Sequence, residues 1–239
     1  MPTTFYPVRD TIVKAALRLV NAYSSMGNPD PEQMQDATEA CNIMLKSWQV
    51  EGGLWLKKFA LLTLVPGQAA YLLGAAQDGT PSPDTCVYTD NAAQIDRPTR
   101  VTSAAYRNSS GFDRPLLPLS REDYMRMTNK TTQAPSNQFY YNPQLYQGAL
   151  TFWPVPDAAD SVLISCDRGI YDLINDTDTY DVPQEWLRLC KWGLACEIAP
   201  EYAVPAGDAA RMEAKYAAMK EAIGSYNREP VNTQIQMEY

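Results

Sequence analysis

Five cysteines are the first candidates for chemistry: Cys41, Cys86, Cys166, Cys190 and Cys196. No two of them form a C-x-x-C pair. Cys190 and Cys196, six apart, fall on different faces of a helix. An odd set of thiols without that spacing reads as ordinary buried cysteine folded in a reducing cytoplasm, not as a disulfide framework or a redox pair. Histidine is absent from the whole chain. Its absence removes the commonest general base and the commonest metal ligand, and with them every Ser-His and Cys-His arrangement. There is no Gly-rich phosphate loop and no G-x-S-x-G elbow.

Carboxylates and aromatic rings remain. The run Asp172, Asp176, Asp178, Asp181 has the density of a calcium loop but lacks the glycine and the closing glutamate such a loop needs. It reads as an acidic turn entering a helix, where negative charge is favourable. Two carboxylates about 5–9 Å apart suffice for glycoside hydrolysis. The 28 Asp and Glu residues offer many pairs, and no pair stands out. Trp55, Tyr140, Tyr141, Tyr146 and Trp153 have the chemistry to line a sugar or base site, but such rings more often serve as core or interface anchors. The expectation is a protein with no catalytic residues, no cofactor and no metal. A net charge of −8 and a pI near 4.6 argue against a protein that grips phosphates. No signal peptide is expected from the first residues. The longest apolar run, at 59–65, is too short to span a bilayer, so no membrane partner is expected either.

The elements that would hold these residues follow from periodicity. Residues 181–202 form the most apolar helical stretch, bounded by Pro183 and Pro200. Trp186, Leu189, Cys190, Gly193 and Leu194 fall on one face, with Leu187 and Ile198 on the next. Three further helices are predicted. The first covers 11–24 with Asp10 as cap. The second covers 31–51, where Asp30, Pro31 and Gln33 resemble a capping box. The third covers 208–226 with Asp208 as cap. Their stripes include Trp48, Met212 and Tyr216. Between the halves, short strand-like pieces at 54–65, 70–73, 99–107, 114–119, 138–141, 149–153 and 161–167 alternate with turns. Residues 54–73 read as a hairpin around Pro66-Gly67, and 74–95 as a long loop. A short helix begins at Ser120.

The expected fold class is α+β. Helices from the N- and C-terminal parts form a four-helix bundle with an inserted all-β domain and extended terminal arms. The expected divisions are 1–53 (arm and helix pair), 54–180 (β insertion), 181–227 (helix pair) and 228–239 (tail). Trp48, Trp186, Leu189, Leu194, Met212 and Tyr216 would form the bundle core. In the tail, Val231, Thr233, Ile235, Met237 and Tyr239 alternate with polar residues, as in a half-buried strand. Val231, Ile235, Met237 and Tyr239 are therefore candidates for binding a partner.

Six stretches, in order, carry a resemblance to a family: LKSWQVEGGLW, LLTLVPGQAAYLLG, RPTRVTSAAYR, LPLSREDYMRM, ALTFWPVPD and DVPQEWLRLCKWGLACEIAPEY. Together they span most of the chain, and it resembles the head-to-tail adaptors of short-tailed phages, also called tail accessory factors or packaged-DNA stabilisation proteins. The resemblance implies a structural virion protein of the neck. It implies a ring of about twelve copies below the portal protein, extending the DNA channel and helping retain packaged DNA. The ring would seat the next tail component, a nozzle or a needle or fibre protein. It would be made in the host cytoplasm, and DNA would pass through without sequence-specific binding. A negative field suits such a channel. The competing expectation is a tail-associated cell-wall glycosidase.

Overall fold

The computed structural model describes residues 5–24 and 27–226. In chain order the elements are α1 (Arg9–Leu19), α2 (Pro31–Glu51), β1 (Lys57–Thr63), β2 (Ala70–Leu73), β3 (Cys86–Tyr88), β4 (Arg100–Arg107) and β5 (Asp113–Pro118). They continue with α3 (Arg121–Arg126), β6 (Gln138–Pro143), β7 (Gly148–Trp153), β8 (Ser161–Asp167), α4 (Leu187–Ile198) and α5 (Ala206–Tyr226). Two compact units result, one from Met1–Trp55 with Ile170–Tyr239, the other from Leu56–Gly169.

The second unit is a single eight-stranded sheet in the order β2-β7-β6-β5-β4-β8-β1-β3. Alternation dictates its two faces: along β1, Ala60 and Leu62 are buried while Lys57, Phe59 and Thr63 are exposed. Inward residues from every strand, including Tyr71, Phe139, Leu150, Phe152 and Ile164, meet in one cluster, so the sheet curls towards a barrel. Pro115 is tolerated within β5 because the parallel pairing with β6 begins only at Leu117, leaving the side that lacks an N–H unpaired.

The structure overturns the expected hairpin at 54–73. β1 pairs with β8 and β3, whereas β2 pairs with β7. The turn at Pro66-Gly67 does form, and the Tyr71 hydroxyl accepts from the Val65 N–H at 2.8 Å. The two strands are nevertheless separated in the sheet order, β2 at one end and β1 next to the last strand at the other. Residues 74–95, expected as a plain loop, contain β3 and cover both ends. On β2, Asp84 accepts from the Leu72 N–H at 2.6 Å, and the Ser82 hydroxyl donates to the Leu72 carbonyl at 2.5 Å. Beside β3, the Tyr88 N–H donates to the Ala93 carbonyl and the Ile95 N–H to that of Cys86. Both edges are thus satisfied locally, which blunts open strand pairing.

In the first unit, α2 begins as its sequence requires. Pro31 opens the helix, and the Gln33 side chain accepts from the Asp30 N–H at 3.1 Å. Asp10 and Asp208, expected as caps, lie inside first turns instead, and α1 ends at Leu19, earlier than expected. A 3-10 turn at Gln184–Trp186 precedes α4.

The expected four-helix bundle with an inserted all-β domain is also corrected. The principal structure is the one curled sheet, and the helices do not close into a bundle. α4 packs against α1, α2 and α5, burying Leu189, Cys190, Gly193 and Leu194, whereas α5 packs mainly on α4. Among the described side chains of the α5 stripe only Met212 is buried, while Tyr216, Met219 and Ile223 stay half-buried. The remaining faces of α5 are Ala, Lys, Arg and Glu, which give helix propensity but no apolar surface to bury. The outermost part of the expected N-terminal arm (1–4) and the tail 228–239 lie outside the described residues.

Candidate functional site

The aromatic residues expected at a core converge in the helical unit. Trp186 lies between Trp48, with ring centroids 5.6 Å apart, and Trp55, at 4.5 Å and edge-on. The Trp48 indole N–H donates to the Tyr216 hydroxyl at 3.1 Å. Gly193 of α4 sits beneath this group. A Cβ there would lie 2.8 Å from Met44 Sδ and 3.0 Å from the Tyr216 ring, so the absent side chain lets α2 and α5 approach α4. Leu189 and Leu194 are fully enclosed, and Trp48 and Met212 are buried. Trp186 and Tyr216, expected in the same bundle core, are half-buried.

Sequence reading missed a strap on the same unit. The backbone of residues 170–173 is held by three side chains of α2. The Gln49 side-chain carbonyl accepts from the Ile170 N–H at 3.2 Å, and Lys46 donates to the Ile170 carbonyl. Asn42 both donates to the Leu173 carbonyl and accepts from its N–H, at 3.1 and 2.9 Å. The signal was the spacing of Asn42, Lys46 and Gln49, i, i+4 and i+7 on one helical face.

That strap distributes the acidic run. Asp172 pairs with Lys46 at 2.8 Å. Asp181 accepts from the Tyr171 N–H. Asp178 accepts from the N–H groups of Asn175 and Ile174, which hold its carboxyl below the usual range. Each is engaged by a different part of the turn. Among the described residues, no group of three His, Cys, Asp or Glu is arranged to hold a metal. The five thiols are unpaired by disulfides, and four are buried. Burial pushes Cys86 and Cys166 up to about 12 and Cys41 to about 11, so the reactive thiolate is scarce at neutral pH. Of the aromatics set aside for a ligand site, Trp55 packs in the helical unit, whereas Tyr140 and Trp153 lie on the neighbouring strands β6 and β7; Tyr140 stacks on Tyr124 at 5.3 Å, and the Trp153 indole donates to the Asn129 carbonyl. The candidate tail residues Val231, Ile235, Met237 and Tyr239 lie outside the described residues.

The outer face of the sheet is the more organised surface. Strand register aligns Val87, Leu61, Leu163, Ala105 and Pro115 in one row across β3, β1, β8, β4 and β5. Phe59 and Leu117, 58% and 64% exposed, extend it on one side. Ion pairs flank it. Arg107 grips Asp113 through two bonds of 2.6 and 2.7 Å, and Arg100 grips Asp167 at 2.8 Å. Around the curl, Leu72 on β2 and Leu145 and Tyr146 in the β6–β7 turn are outward and exposed. They line a depression of about 370 Å3 whose polar members are Gln77, Gln144 and Gln147.

Residues 8–237 match the SU10 adaptor protein family, and the chain belongs to that family. The resemblance carried by the six motifs is borne out at that level: this is a phage structural adaptor, a virion component. A comparison with curated proteins finds no match.

Proposed function

We propose that the protein is a head-to-tail adaptor that assembles as a ring of about twelve copies below the portal. The ring extends the DNA channel, helps retain packaged DNA and seats the next tail component. The observation behind this reading is the family match over nearly the whole chain. Charge supports it. The β unit has ten basic and ten acidic residues, whereas the helical unit has ten basic and eighteen acidic, so the whole net charge of −8 belongs to the helical unit. A ring of such units repels phosphates, which favours sliding over binding. The tail with Val231, Ile235, Met237 and Tyr239 docks on the portal by its alternating pattern. Electron microscopy of the protein mixed with its portal tests the reading, with rings stacked on the portal expected. Truncation after Asn227 tests the tail: portal binding should fall at least tenfold, and unchanged binding contradicts the docking role.

A further inference from the structure

We infer that neighbouring copies of this chain meet through their β units, head to tail. The outward row around Phe59, Leu61 and Leu163 of one copy packs into the Leu72–Leu145–Tyr146 depression of the next. The inference rests on the ring reading and adds the surface that closes it.

Three observations select a second copy as the occupant. First, the row has an interface's anatomy. It is an apolar centre crossing five strands, about 20 Å at the usual strand spacing, with ion pairs only at its rim. The rim arginines Arg100 and Arg107 are paired with Asp167 and Asp113. Second, charge directs copies to this unit. Helical units each bearing −8 repel one another, whereas β units with ten charges of each sign meet without that penalty. The depression's polar rim is glutamine, so no buried charge is left unpaired there.

Third, the two patches differ and lie on different walls. The row sits on β3, β1, β8, β4 and β5; the depression sits on β2 and the β6–β7 turn, at the other end of the sheet order. A surface that fits a different surface on its neighbour gives a head-to-tail contact, which closes a ring when its rotation divides the full turn; a self-matching patch stops at dimers. The open edges of β2 and β3 are already satisfied by residues 82–95, so the contact is made through side chains and not by strand addition.

Phe59→Glu and Leu145→Glu test this on the full chain, because both side chains are exposed and neither change should disturb the fold, which circular dichroism verifies. Native mass measurement should show wild-type multimers and each variant alone as monomer. Mixed in equal amounts, the two variants should form dimers and nothing larger, since only one intact interface can be built between them. Variants that assemble like the wild type would overturn this interface while leaving the ring reading intact. Wild-type protein that stays monomeric with and without the portal would overturn the ring reading itself. As a second readout, the double variant Phe59→Cys/Leu145→Cys should give a ladder of covalent multimers on oxidation. A ladder ending at dimers would contradict the head-to-tail arrangement.

Discussion

At the scale of single residues, backbone constraints and buried polar partners make sharper statements than any reactive group. Gly74 holds φ +92°, and a Cβ there would lie 2.6 Å from the backbone N of Arg97. Backbone cannot yield as a flexible side chain can, so Gly74→Ala should destabilise the protein by about 2–3 kcal/mol, read from denaturant midpoints. Asp178 has a folded-state pKa depressed by the Asn175 and Ile174 N–H groups. The stability it contributes is therefore present above the ordinary carboxylate pKa and is lost as pH falls through the lower folded value. Thermal unfolding between pH 6 and 3 should show this loss in the wild type and a shallower one in Asp178→Asn; equal slopes would contradict it. The sequence showed that the acidic run lacks a calcium loop's glycine and glutamate. It did not show that Asp178 would turn inward to its own backbone, because that depends on a turn closed by Arg9, whose N–H meets the Asp178 carbonyl from 169 positions away.

At the scale of elements, α4 is the hub its composition suggests, for a reason local pattern contains only in part. The apolar arc from Trp186 to Ile198 requires burial on several sides, and α1, α2 and α5 supply it. Trp186→Ala removes the ring between Trp48 and Trp55 and should cost about 3 kcal/mol. Differential scanning calorimetry of the variant checks this, and a loss below about 1 kcal/mol would place Trp186 outside the packing. Helix existence was legible because the 3.6 period repeats over many turns; α2 was read to its ends because Asp30, Pro31 and Gln33 mark the start and Gly52 the finish. Pairing of strands was not legible in the same way. Pro66-Gly67 marked a turn correctly, yet a turn does not decide whether its flanking strands pair, and here β8 and β7 outcompete the hairpin for β1 and β2. Residues 86–88 were lost in a stretch rich in turn residues because three residues are too few to show alternation. Bundle closure failed as an expectation because periodicity locates a stripe on α5 but does not say how much of it neighbours will cover.

At the scale of the whole molecule, the division of charge is the feature that links sequence to assembly. All of the net −8 resides in a helical unit and none in the sheet unit, which suits the proposed ring, whose copies would repel a nucleic acid and still meet one another. The family was legible from six ordered stretches, each too common alone to carry it, and the family match spans residues 8–237. The surfaces that would build a ring were not legible, since Leu61, Leu163, Ala105 and Pro115 become neighbours only through register between strands far apart in the chain. Native mass measurement of the full chain with its portal decides whether the chain is a ring-forming adaptor. A species whose adaptor component weighs about twelve times the 26.7 kDa chain is expected. Protein that stays at 26.7 kDa and leaves the portal's mass unchanged would contradict it.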